Sequence, residues 1–178
     1  KAGDWIEIPS QNTEGTVIDV SLTNIQIQNA DNTVTSVPAY TMTSTSFKNY
    51  RAIAELGGRR LKKALFIDVN SVAFLTGQDI EEFRKVDLLR DYLAEKTAEI
   101  AEYNEKISAG TESPINGRRL TNLGTFRNYV RLYLRNHPQI HQNMTLMVRQ
   151  LDPGPQGIAV EIYAFTTETA WVQCEAIQ

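Results

Sequence analysis

Glu14-Gly15-Thr16-Val17-Ile18-Asp19-Val20-Ser21-Leu22-Thr23-Asn24-Ile25-Gln26-Ile27-Gln28 is the stretch whose reading decides the fold. It is rich in β-branched residues, which suit the pleated surface of a strand. Ile18, Val20 and Leu22 share one parity, and Ile25 and Ile27 share the other. Side chains alternate faces along a strand, so the change of parity at Thr23-Asn24 predicts a bulge or a sharp bend. Upstream, residues 4–8 read as a strand stopped by Pro9, which cannot donate to a ladder. Residues 10–14 form a polar turn. Downstream, Asn29-Ala30-Asp31-Asn32 is a turn, residues 34–37 a short strand ended by Pro38, and residues 47–50 a last strand. Together these predict a small, strongly bent antiparallel β-barrel over residues 1–60.

Residues 61–178 change character. Leu56-Gly57-Gly58-Arg59-Arg60 reads as the linker. Residues 64–69 read as a strand. Thr76-Gly77-Gln78-Asp79 resembles a capping box opening a helix, with Glu81 and Glu82 placed for its N-terminal dipole. Val86, Leu89, Leu93, Ile100, Tyr103 and Ile107 fall on one stripe, which predicts a single helix running to about Ser108, roughly 45 Å long and partly projecting from the core. A second helix runs over 123–136 with Phe126, Tyr129, Val130, Tyr133 and Leu134 on its apolar face, and Pro138 stops it. Residues 144–151 and 158–165 read as a hairpin, and a final helix begins near Trp171. The fold class is β followed by α+β: a barrel, then a ferredoxin-like unit lacking its last strand. The chain opens directly in strand-like sequence and stops in a helix, so both ends are expected to continue in a longer protein.

Composition narrows the function. Hydrophobic residues make up 42% and charged residues 22% of the 178, a folded balance, and the net charge is −3. No global basic field would draw in nucleic acid or anionic lipid. Residues 1–62 hold six Lys/Arg and six Asp/Glu. Cys174 is the single cysteine, so neither an internal disulfide nor a zinc knuckle is available, and packing is its default role. No apolar stretch approaches the ~20 residues that span a bilayer. His137 and His141 are four apart, but Pro138 lies between them and breaks the helix that would align them on a metal. Glu81, Glu82, Asp87, Asp91 and Glu95 lie on an exposed helix face with no nucleophile beside them. No phosphate loop, dinucleotide fingerprint or nucleophile elbow occurs. Arg127, Arg131 and Arg135 recur every four residues near Arg118 and Arg119. They suit a phosphate or an acidic helix, and Glu95, Glu99, Glu102 and Glu105 offer an internal partner. Neither catalytic, metal-binding nor cofactor-binding residues are expected.

Gly3-Asp4-Trp5-Ile6-Glu7-Ile8, then Glu14-Gly15-Thr16-Val17 and Leu22-Thr23-Asn24-Ile25, then Asp31-Asn32 and Val37-Pro38-Ala39, resemble the middle β domain of the MscS family of mechanosensitive channels. Ala39 stands where the family pattern has asparagine. Phe47-Lys48-Asn49-Tyr50, residues 59–75, the run from Arg118 to Arg127, and residues 137–151 look like the miniconductance (YbdG-like) branch. The resemblance implies a Sm-like β domain over 1–60 and an α/β domain over 61–178 with a helical insertion at about 100–141. It further implies a homoheptamer in the bacterial inner membrane, this segment lying on the cytoplasmic side. Transmembrane helices preceding Lys1 would contact the lipid, and the pore would release ions and small solutes under tension. Gly3, Asp4, Trp5, Gly15, Val17, Thr23 and Pro38 become the ring-assembly candidates, and Arg119, Arg127, Arg131 and Arg135 the candidates for gating or partner contact. The alternative is a Sm-like ring that binds RNA or acts as a scaffold; the near-neutral β domain and the lack of interleaved aromatic and basic residues count against RNA.

Overall fold

The computed structural model describes residues 1–107 and 115–177. The chain divides into two compact units, Lys1–Gly58 and Arg59–Gln178.

In the first unit, β1 (Trp5–Ile8), β2 (Thr13–Val20), β3 (Asn24–Asn29), β4 (Val34–Pro38) and β5 (Lys48–Asn49) form one antiparallel sheet in the order β4-β3-β2-β1-β5. Edges β4 and β5 are not paired with each other, so the sheet is open where a barrel was expected. Strand β5 is only two residues long and cannot carry the ladder round to closure. Ile6, Ile8, Val17, Ile25, Ile27 and Val37 form the core of this unit, with Met42 packed against it. Their period of two is what one buried sheet face demands. Burying each such side chain is worth about 1.5–3 kcal/mol.

The parity change at Thr23-Asn24 is a full chain reversal rather than a bend. Ser21 and Asn24 close it: the Ser21 amide donates to the Asn24 carbonyl at 2.9 Å, and the Asn24 amide donates to Ser21 Oγ at 3.1 Å. The slip in register lies instead between Val17 and Asp19, where Ile18 is the extra residue. Two short helices that the sequence reading did not foresee, α1 (Thr41–Ser44) and α2 (Arg51–Leu56), follow β4 and β5. At four and six residues they are too short to show a periodicity.

In the second unit, β6 (Arg59–Ile67), β7 (Met147–Gly154) and β8 (Gly157–Thr166) form an antiparallel sheet in the order β6-β8-β7. β6 starts five residues earlier than the predicted 64–69. The run Arg59-Arg60-Leu61-Lys62-Lys63 is charged because β6 is an edge, where charge is tolerated and discourages stray pairing. The helix expected up to residue 108 is broken at Lys85-Val86 into α3 (Gly77–Arg84) and α4 (Asp87–Lys106), with Val86 in extended conformation. The break lets Ile80 and Phe83 of α3 and Leu89 and Leu93 of α4 reach one cluster around Leu120. The capping box is present: the Thr76 amide donates to Asp79 Oδ2 at 2.8 Å and the Asp79 amide donates to Thr76 Oγ1 at 3.2 Å.

Helix α5 (Asn122–Asn136) covers the sheet, placing Val130 and Leu134 against Ala164, Ile140, Val148 and Ile162. Tyr129 joins this cluster to that of α3 and α4. The far end of α4 is tied in rather than projecting, because the Asn104 amide makes paired bonds of 2.9 and 2.8 Å with the Arg118 backbone. The helix end predicted near Ser108 lies outside the described residues. Helix α6 (Trp171–Ile177) ends the described chain, and its Cys174 is buried.

Candidate functional site

The assembly candidates fall around β1 and β2. Gly3 has φ of +90°, a conformation that glycine adopts without strain, and so its amide donates to the Val17 carbonyl at 2.7 Å. Gly15 answers a different need: a Cβ there would lie 2.0 Å from the Gln28 carbonyl oxygen of β3. Val17 is a core residue. Thr23 sits in the hairpin turn, where its carbonyl accepts from the Ala39 amide at 2.9 Å, and Pro38 closes edge strand β4 opposite Asn24. These candidates therefore act through backbone and packing. Trp5 is partly exposed and donates from Nε1 to Glu14 Oε1 at 3.2 Å.

What the structure offers to a neighbour is a set of exposed apolar side chains beyond the assembly candidates: Ile18, Val20, Leu22, Val34, Tyr40 and Phe47. Val20 pairs with Ile25, and Ile25 with Val37. The row that is buried in mid-sheet thus emerges at Val20, and Leu22 beyond it is 100% exposed at the hairpin tip. Their even spacing from residue 18 to residue 22 was the available signal.

A polar clasp fixes edge strand β5 against β1. Glu7 accepts from Lys48 Nζ at 2.8 Å and from the Tyr50 hydroxyl at 2.5 Å. Asp4 accepts from the Asn49 amide at 3.0 Å, and the Arg51 guanidinium stands 4.0 Å away. The bond from Lys48, then that from Tyr50, holds the Glu7 carboxyl below its ordinary range. The Asn49 bond comes first in doing the same for Asp4. Glu7 in turn raises Lys48 and Tyr50. Sequence reasoning missed the clasp because its halves lie some forty residues apart.

In the second unit, Arg127 and Arg131 of α5 line one cavity, whereas Arg135 lies in the last turn and does not. Arg119 is exposed in the segment before α5. Within the arginine cluster, Arg118 makes the expected pairing with a glutamate of α4, reaching Glu99 at 3.1 Å. Glu102 pairs with Lys106, and Glu81 and Glu82 pair with Arg84 and Lys85. His137 ends α5 with its ring beside Tyr133, while the His141 amide donates to the Phe165 carbonyl. Among the described residues no group of three or more His, Cys, Asp or Glu is placed to hold a metal ion. Nor is any helix among them long and apolar enough to cross a membrane.

Residues 1–52 match the family model described as the mechanosensitive ion channel β-domain. That likeness lies wholly within the first unit. The whole chain also shares its fold with two solved structures. Arabidopsis thaliana MSL1 matches with a TM-score of 0.54 at 13% identity, covering 100% of this chain and 46% of that one. Helicobacter pylori MscS in its closed state matches at 0.51 and 17%, covering 99% and 49%. The chain thus spans about half the length of these structures. Counted over the β domain as the structure bounds it, residues 1–58, the charge is three Lys/Arg against six Asp/Glu, a balance of −3 rather than the near-neutrality of residues 1–62.

Proposed function

We propose that this chain is part of the cytoplasmic vestibule of an MscS-family channel of the miniconductance branch, assembled as a homoheptamer and gated by membrane tension. The match of residues 1–52 to the channel β domain carries the reading. The exposed Ile18, Val20, Leu22 and Val34 on an open sheet support it, since a closed ring covers both edges and apolar tips. Tension favours the open pore because that state occupies more bilayer area, a shift between two populations. The pore then releases ions and small solutes after hypo-osmotic shock. The acidic balance of the β domain argues against RNA as its partner.

The finer fold reading belongs with this proposal. The order β6-β8-β7 supports a ferredoxin-like unit whose last strand would lie along the outer edge of β6. The first unit is then a Sm-like domain opened at its edges. Residues 100–141 are read as the insertion that tunes gating, although α5 within them is also part of the core, so a deletion has to spare residues 118–136.

The test is the full parent protein in excised membrane patches under suction. A conductance evoked by tension, lost in a Leu22→Asp/Val34→Asp double variant that still reaches the membrane, supports the proposal. A parent protein that yields no tension-evoked conductance ends it.

A further inference from the structure

A cavity of about 340 Å³ opens between α4, α5 and β7, lined by Tyr92, Lys96, Gly124, Arg127, Asn128, Arg131 and Val148. Three of those side chains are cations. Arg127 and Arg131 are four residues apart on one face of α5, a spacing at which like charges repel. The Arg127 guanidinium makes no hydrogen bond or ion pair among the described residues. Lys96 is held at 2.5 Å by Glu99, which it shares with Arg118, so that carboxylate is already engaged by two cations.

Asn128 supplies the deciding detail. Its Oδ1 accepts from Arg131 Nε at 3.1 Å and from Arg131 Nη2 at 2.8 Å. A guanidinium can only donate, so this amide cannot be turned round. Asn128 Nδ2 is thereby fixed as a donor, and it is buried without an acceptor among the described residues. Leaving such a donor unsatisfied is costly. A ligand carrying negative oxygens would answer the crowded cations of the cavity. Guanidinium groups match the tetrahedral oxygens of phosphate in paired bonds, and their donors are charge-assisted.

The geometry points to an anion site here that takes a phosphate or pyrophosphate group, with Arg127 and Arg131 as its grips, Asn128 Oδ1 holding the Arg131 guanidinium in place and Lys96 as its third cation. The group arrives either free or on a phospholipid headgroup; the chemistry of the site is the same. The assignment does not rest on the channel reading, and either can fail without the other.

The test uses the whole chain, titrated with inorganic pyrophosphate by calorimetry at fixed ionic strength. In parallel it is sedimented with vesicles of equal parts phosphatidylglycerol and phosphatidylcholine. Arg131→Ala and Arg127→Ala are each expected to weaken binding about tenfold or more, the scale of one charge-assisted contact. Asn128→Leu is expected to weaken it as well, while Arg135→Ala, outside the cavity, stays within about twofold on the same scale. Binding of pyrophosphate with no vesicle capture identifies a free anion. Capture of wild type but not of Arg127→Ala/Arg131→Ala identifies the headgroup. Circular dichroism melting confirms that each variant is folded. The assignment is overturned if neither probe binds, or if Arg135→Ala weakens binding as much as Arg131→Ala.

Discussion

Gly15 shows most directly how one residue type sets this sheet. Because the backbone of β3 fills the place of its Cβ, Gly15→Ala must push β2 and β3 apart. We expect a loss of about 1–3 kcal/mol in urea unfolding of the first unit, the range for overpacked sites. The Glu7 clasp gives a pH signature. Its carboxyl titrates below the ordinary value of 4.5 in the fold, so its stabilisation is complete above that value and disappears as the pH falls through the lowered folded value. Thermal melting of wild type should therefore weaken as the pH drops below about 4.5, with Asp4 adding the same trend below about 3.8. Glu7→Gln should make that acid limb shallower by the Glu7 share, leaving the part that Asp4 and the other lowered carboxylates contribute. An unchanged acid limb in Glu7→Gln would show that other carboxylates set it. None of the clasp was legible in the sequence, since a hydrogen bond between residues 7 and 48 leaves no local pattern. Gly15 was legible as part of a motif, but its reason, the approach of Gln28, was not.

Elements were readable in proportion to the pattern each could hold. Eight-residue β2 and fifteen-residue α5 carry enough turns or alternations to be recognised; α5 lies where expected, while β2 begins at Thr13 inside the predicted turn and ends at the hairpin. The short helices α1 and α2 cannot hold such a pattern, whereas the two-residue β5 lies within the strand read at 47–50. The split of α3 from α4 was hidden because the apolar stripe runs through the junction: Val86 continues the spacing yet is extended and partly exposed. The capping box was visible because it is local by nature. Thr76→Ala removes a hydroxyl that accepts from the Asp79 amide, and should cost about 1 kcal/mol. Chemical denaturation monitored by far-ultraviolet circular dichroism checks it. Asp79→Ala should cost a similar amount by removing the reciprocal bond to the Thr76 amide.

Among the described residues, residues 6–42 supply the core of the first unit and residues 67–177 the clusters of the second. Ile27→Ala, at a fully buried position, should cost about 2–5 kcal/mol and act on the first unit. Amide exchange should then quicken in β1–β4 while β8 keeps its protection. Equal loss of protection in β8 would mean that the two units unfold as one. At this scale the likeness of residues 1–52 to the channel β-domain could be read from motifs, because glycine, proline and turn residues are dictated by backbone geometry. Closure could not, because it depends on whether two distant edges meet. Cys174 closes the matter of method. Its thiol is only 3% exposed and donates to the Glu168 carbonyl at 2.9 Å. A new cysteine at fully exposed Leu22 would accordingly be the preferred site for a spin label or fluorophore. Distances between copies could then be measured in an otherwise native background.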